Sequence, residues 1–255
     1  MTGIGRVFPT PVPAATDEEL LSWYAPPESG RPWLSFNFVA SLDGAATVRG
    51  RSGGLGNPSD QRVFALLRRH ADAVLVGAGT VRAEGYAGEL VDAAARQWRV
   101  DHGKPAHPTL VIVSGSLDLD PRSDLFRDAP ARPLLVTVSD APLGRRRALE
   151  PVADIMDCGT RELVPQAVLD GLAGRGLRAL HCEGGPHLFG SFQDAGLVDE
   201  LCLTLAPALA GGSSPRIAAG NPAAAELHGM ELAHILSSGS MLFLRYLASG
   251  LSRPA

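Results

Sequence analysis

Short apolar runs alternate with helical patterns along most of this chain, and that alternation restricts the folds open to it. The runs Trp33–Ala40, Ala73–Gly77, Thr109–Val113, Leu134–Val138, Val152–Met156, Leu177–Cys182 and Glu200–Ala206 read as strands. Ser59–His70, Thr80–Gly85, Val91–Asp101, Leu143–Glu150, Leu163–Ala173 and His187–Ala195 read as the helices between them. Strands separated by helices call for parallel crossovers. The last two candidates, Glu231–Leu236 and Met241–Leu247, are joined by Ser237-Ser238-Gly239-Ser240, a hairpin signal. The expectation is an α/β fold: a mainly parallel central sheet flanked by helices, with an antiparallel C-terminal hairpin. A chain of 255 residues fits one such domain. Residues 1–31, rich in proline around an amphipathic stretch with Thr16 as a helix cap, read as an N-terminal arm packed on the surface. Residues 32–255 read as a single domain, and the Pro/Gly-rich stretch Ala208–Ala225 as a long loop within it.

Composition removes several classes of function. The net charge of −4 lacks the basic footprint of a nucleic-acid binder. No apolar run approaches the length of a membrane span, and no basic-then-apolar leader is visible, so neither nucleic acid nor membrane is an expected partner. Cys158, Cys182 and Cys202 lie far apart in apolar surroundings and read as reduced residues of a cytoplasmic protein. No metal site is expected, because the histidines show no i, i+4 pairing and His181-Cys182-Glu183 lacks a following P-C-x-x-C. A phosphate-binding G-x-x-x-x-G-K-[ST] is also missing.

Three glycine-bearing segments carry what chemistry the pattern offers. Glu183-Gly184-Gly185-Pro186-His187-Leu188-Phe189-Gly190 runs from a strand through a tight turn into a helix. It reads either as an anion site beside an acid, since a helix N-terminus offers free N–H groups, or as glycines placed for packing. Val76-Gly77-Ala78-Gly79-Thr80-Val81 repeats the strand-to-helix turn without the third glycine of a dinucleotide fingerprint. Ala40-Ser41-Leu42-Asp43-Gly44 ends a strand in a carboxylate, either an Asx-turn or a functional acid, and the glycines of Gly50–Gly56 suggest a loop that closes over a ligand.

In this order and at these spacings, the three segments resemble the reductase domain of bacterial riboflavin biosynthesis, and most closely its free-standing actinobacterial-type pyrimidine reductases. The resemblance covers roughly Trp33 to Leu247. It implies a dihydrofolate-reductase-like fold, a homodimer, and NADPH-dependent reduction of a heterocyclic small molecule, 5-amino-6-(5-phosphoribosylamino)uracil, to its ribitylamino form. By position, Ala40, Gly54, Gly77, Gly79, Thr80, Glu84 and Ser114 would line the cofactor, with Gly184, Gly185, Pro186, His187, Leu188, Phe189, Gly190 and Ser191 around its pyrophosphate. Asn37, Ser52, Arg68 and Glu183 would hold substrate. Glu183 would position the ribosyl group or relay a proton, with Asp43 as a second catalytic acid that orders the loop beneath it.

The substrate half departs from the family. Asn37 stands where a lysine is common, Gly54 where an aromatic is common, and Glu84-Gly85-Tyr86-Ala87-Gly88-Glu89-Leu90 replaces a segment that usually brings an arginine. Two further readings therefore stay open: a reductase of the same fold acting on a pterin such as dihydrofolate, and a non-catalytic NADP-binding protein.

Overall fold

The computed structural model describes residues 3–28, 30–220 and 227–250. Its strands are β1 (Gly5–Phe8), β2 (Trp33–Ser41), β3 (Ala73–Gly77), β4 (Thr109–Val113), β5 (Leu134–Thr137), β6 (Asp154–Asp157), β7 (Ala179–Cys182), β8 (Glu200–Ala206), β9 (Met230–Ser238) and β10 (Met241–Ala248). Its helices are α1 (Asp17–Tyr24), α2 (Pro58–His70), α3 (Ala78–Glu84), α4 (Ala93–Asp101), α5 (Asp124–Arg127), α6 (Leu143–Leu149), α7 (Pro165–Gly174) and α8 (Pro186–Asp194).

One sheet takes all ten strands in the order β1-β9-β10-β8-β2-β7-β3-β4-β5-β6. From β8 across to β6 every pairing is parallel, whereas β10 pairs antiparallel with both β8 and β9. The parallel centre is apolar because helices cover both faces: Ala73, Val74, Leu75 and Val76 of β3 are fully buried. Gly239, at φ +60, and Ser240 close the two-residue turn between β9 and β10, a geometry that favours glycine.

The expected alternation stands, with shifts at element ends that have local causes. Asp92 caps α4 by accepting from the Ala95 N–H, so the helix starts at Ala93 and not at Val91. Val152 and Ala153 donate back to Leu149 O and finish the turn after α6, which delays β6 to Asp154. The first 31 residues are more than a surface arm. Thr16 and Glu19 form a capping box on α1, Ile4 and Leu20 are completely buried in a core cluster with α2, and β1 pairs with β9 as the sheet's edge strand. Residues 221–226 of the expected long loop, and residues 251–255 of the expected domain, lie outside the described residues.

Two consequences position the site. β7 is inserted between β2 and β3, so α2, the crossover joining those two strands, lies over β7. The C-terminal ends of β2, β7, β3 and β4 share one rim of the parallel sheet, where ligands of open α/β sheets bind.

Candidate active site

The chain leaves β7 at that rim as Glu183-Gly184-Gly185-Pro186 and enters α8 at once. Gly184 has φ +96, and a Cβ there would stand 2.9 Å from the Phe38 ring. A Cβ on Gly185 would stand 2.7 Å from Thr80 Oγ1. Both positions therefore exclude a side chain, and the Gly77 N–H donates to Gly184 O at 2.9 Å. The two glycine turns recognised separately in the sequence thus form one surface. Pro186 occupies the first helical position of α8, where no amide donor is lost, and the next two N–H groups, of His187 and Leu188, point off the helix end.

Glu183 is the most constrained group at the rim, its side chain 1 % exposed. Arg68, from the last turn of α2, donates Nε to Oε1 at 2.5 Å and Nη2 to Oε2 at 2.8 Å. Tyr86 Oη donates to Oε2 at 2.7 Å. Arg68 Nη1 donates to Leu90 O at 2.8 Å, and its guanidinium lies 4.4 Å from the centre of the Phe64 ring. His181 lies behind, its Nε2 3.8 Å from Glu183 Oε1 and without a hydrogen-bond partner. Burial would raise the Glu183 carboxyl, but the Arg68 charge and hydrogen bonds outweigh it and hold the group below its ordinary value. The same burial, reinforced by the Glu183 charge, pushes the Tyr86 phenol well up, and burial keeps His181 neutral by lowering its value. At neutral pH the cluster is a carboxylate clamped by a guanidinium with a protonated phenol beside it.

In front of this cluster opens a cleft of about 510 Å³. Of the residues expected at the site, Asn37, Ser52, Arg68, Gly79, Thr80, Glu84, Glu183, Gly185 and Pro186 line it. Glu84 accepts from the Ser52 N–H at 2.7 Å and Oγ at 3.0 Å, tying the glycine-rich loop to α3. Gly77 and Gly184 back the lining.

Other residues serve elsewhere. Asp43 is exposed, outside the cleft. It accepts from the Ser41 hydroxyl and from the N–H groups of Ala210 (3.0 Å) and Gly211 (2.7 Å), and these bonds lower its carboxyl to about 2. That is a loop clamp, not a second acid facing a ligand. Ser114 Oγ accepts from the Leu117 N–H and caps the turn after β4. Ala40 is a buried β2 residue, and Gly53 rather than Gly54 reaches the cleft. Phe189 packs on Phe36 at 4.8 Å between ring centres, Gly190 abuts the backbone at Ala219, and Ser191 Oγ donates to His187 O. Beyond Leu188, the inward face of α8 (Phe189, Gly190 and Phe192) belongs to the core, while Ser191 is exposed.

Sequence reading missed Tyr86, Phe64, Asp60 and Gln61. The signal for two of them was present: Asp60 and Phe64 precede the expected Arg68 at the i, i+4 spacing of one helix face, while Val63, Leu66 and Leu67 form the buried face of α2. Nothing local marks Tyr86. Among the described residues no cluster of three or more His, Cys, Asp and Glu side chains could hold a metal ion, and no helix is long and apolar enough to cross a membrane.

A family model for the RibD C-terminal domain matches residues 32–244. The chain belongs to the RibD C-terminal domain family. A 2,5-diamino-6-ribosylamino-4(3H)-pyrimidinone 5′-phosphate reductase from Methanothermobacter thermautotrophicus is 30 % identical over 224 residues, covering 86 % of this chain and all of that protein. The riboflavin biosynthesis protein RibD of Mycobacterium tuberculosis is 28 % identical over 196 residues, 76 % of this chain but 47 % of that protein. A pyrimidine reductase-like protein from Corynebacterium diphtheriae superposes with a TM-score of 0.81 at 28 % identity, over 94 % of this chain and 100 % of that one. Family membership and architecture agree with the resemblance read from the three glycine segments.

Proposed function

We propose that the protein is a pyrimidine reductase of riboflavin biosynthesis, converting a phosphoribosylamino-pyrimidine to its ribitylamino form with NADPH as reductant. The carrying observation is the buried Glu183 carboxylate, clamped by Arg68 and Tyr86, at the mouth of a cleft whose wall is the paired glycine turn. In the net reaction C1′ of the ribosyl group gains a hydride, the C1′–O4′ bond breaks, and O4′ takes a proton. A reduced nicotinamide, when bound, would supply that hydride.

The glycine turn fits such a nucleotide. The N-terminal dipole of α8 with the His187 and Leu188 N–H groups suits a pyrophosphate. Thr80 Oγ1, against Gly185, adds a hydroxyl to the same surface. Glu183, held ionised, accepts from one ribosyl hydroxyl at the acceptor site its three donors leave free and so fixes C1′; it does not begin as the acid. Tyr86 Oη–H is the protonated group facing that carboxylate. Arg68 has two N–H donors beyond the three in use, enough to meet one oxygen of the substrate phosphate without releasing Glu183. The homodimer implied by the resemblance and the cytoplasmic location read from the cysteines belong to this same reading.

Incubating the purified protein with NADPH and each ribosylaminopyrimidine 5′-phosphate, 2,5-diaminopyrimidinone or 5-aminouracil, tests it. The expected result is NADPH consumption with a product heavier by two hydrogens. Loss of NADPH without that product, or no turnover of either pyrimidine, overturns the assignment. A melting temperature unmoved by NADPH overturns the cofactor.

A further inference from the structure

One acid on the cleft wall is explained by none of the three glycine segments. Asp60 lies in the first turn of α2 and lines the cleft next to Gln61 and one turn before Phe64. Unlike Glu183 it has no arginine: burial raises its carboxyl, a hydrogen bond with the Thr204 hydroxyl opposes that, and no cation contributes. The loop backbone closes over it, so that a Cβ on Gly56 would sit 2.6 Å from its Oδ2. A half-buried carboxylate with one hydroxyl partner keeps acceptor capacity for a ligand. As a carboxylate it only accepts. Along this face of α2, an acceptor (Asp60), an aromatic ring (Phe64) and a cation (Arg68) follow one another over about 12 Å, eight residues at the helical rise.

We propose that Asp60 determines which heterocycle is reduced: it accepts the paired N–H groups of a 2-amino-4-oxopyrimidine edge, so that the substrate is the 2,5-diamino-6-ribosylamino-4(3H)-pyrimidinone 5′-phosphate and its uracil counterpart is rejected. The proposal rests on the reductase reading above and sharpens its substrate. The 2-amino group and the ring N3–H present two donors side by side, matching the two oxygens of a carboxylate. In the uracil an oxygen replaces the 2-amino group, which removes one donor and sets a carbonyl dipole against a negative charge. The Phe64 ring offers a face for the flat heterocycle, and the Gln61 amide a further polar contact at the same wall.

The test compares kcat/KM for the two pyrimidines and for dihydrofolate, with wild type and Asp60→Asn. Calorimetric binding of 2,5,6-triaminopyrimidin-4(3H)-one and 5,6-diaminouracil serves as a readout independent of turnover. Wild type should favour the diamino compound by at least about 100-fold. Asp60→Asn should bring the two within about tenfold, mainly by raising KM for the diamino compound, while the NADPH-induced melting shift is unchanged. A wild-type enzyme that favours the uracil, or a variant that keeps the full discrimination, overturns the proposal. Preference for dihydrofolate, which shares the 2-amino-4-oxo edge, overturns the assignment to the ribosylated pyrimidine. If neither pyrimidine turns over yet the triaminopyrimidinone binds tighter than the diaminouracil and loses that advantage in Asp60→Asn, the role of Asp60 stands and the reductase reading fails.

Discussion

Two acids in this chain look alike in sequence. Asp43 and Glu183 each follow the end of a parallel strand on the same rim of the sheet, and each precedes a glycine. Their settings have little in common. Asp43 faces solvent and is held by two backbone N–H groups and a serine hydroxyl, so it pins one loop to another. Glu183 is enclosed and held by a guanidinium and a phenol from two other segments. The first arrangement is a loop clamp. The second holds a charge in a site water scarcely reaches, where an electrostatic contact is worth more. A carboxylate's role is set by what is packed over it, and strand-end position does not report that.

The comparison breaks most sharply at Glu183. Glu183→Gln keeps shape and removes charge, and should lower kcat/KM by about 10²–10⁴-fold, the range for a positioned ionisable group, with NADPH affinity unchanged. Steady-state rates alongside Asp43→Asn are the check; equal losses in the two variants would erase the distinction.

Next is Arg68→Met, which leaves the carboxylate buried and unpaired at a cost of about 3–5 kcal/mol. Its pH dependence has a definite sign. In the wild type the folded Glu183 carboxyl lies below its unfolded value, so its contribution is complete above the unfolded value and is lost as pH falls through the folded one. Without Arg68 burial alone raises the carboxyl, and the variant should gain stability as pH falls from about 8 to 5, the reverse slope. Urea unfolding across that range measures it.

Tyr86→Phe removes one hydrogen bond to a charged group, worth about 1.5–3 kcal/mol. It should reduce kcat by about tenfold with little change in KM, and should weaken the NADPH melting shift not at all. A fall confined to KM would make Tyr86 a binding contact only.

The smallest effect belongs to Asp43→Asn. The folded carboxyl near 2 stabilises above the unfolded value and loses that contribution as pH falls through about 2. The asparagine variant should lose only this acid-range dependence, with activity within about twofold of wild type, since substitutions away from the site act weakly. A large loss of kcat at neutral pH would return Asp43 to the catalytic group.

Much of the scaffold was legible because strands and helices announce themselves over short windows. β3, β4 and β8 match the apolar runs end for end, and the Gly239 turn names the hairpin. The edge strand β1 was not legible: four residues among prolines carry no period, and their pairing partner lies more than two hundred positions away. Gly184 and Gly185 were visible as a turn, but that they abut Phe38 and Thr80 was not. Tyr86 drew notice only as part of a segment lacking an arginine, and proved to be the partner of Glu183.

By itself the sequence determined the alternation of elements, the two glycine turns and the acid that follows β7, because backbone geometry and side-chain period act between near neighbours. Tertiary structure decided which side chains meet. Arg68 reaches Glu183 across 115 positions and Tyr86 across 97 because β7 slots between β2 and β3 beneath α2. Strand order is set by the packing of the whole sheet, and no local window contains it.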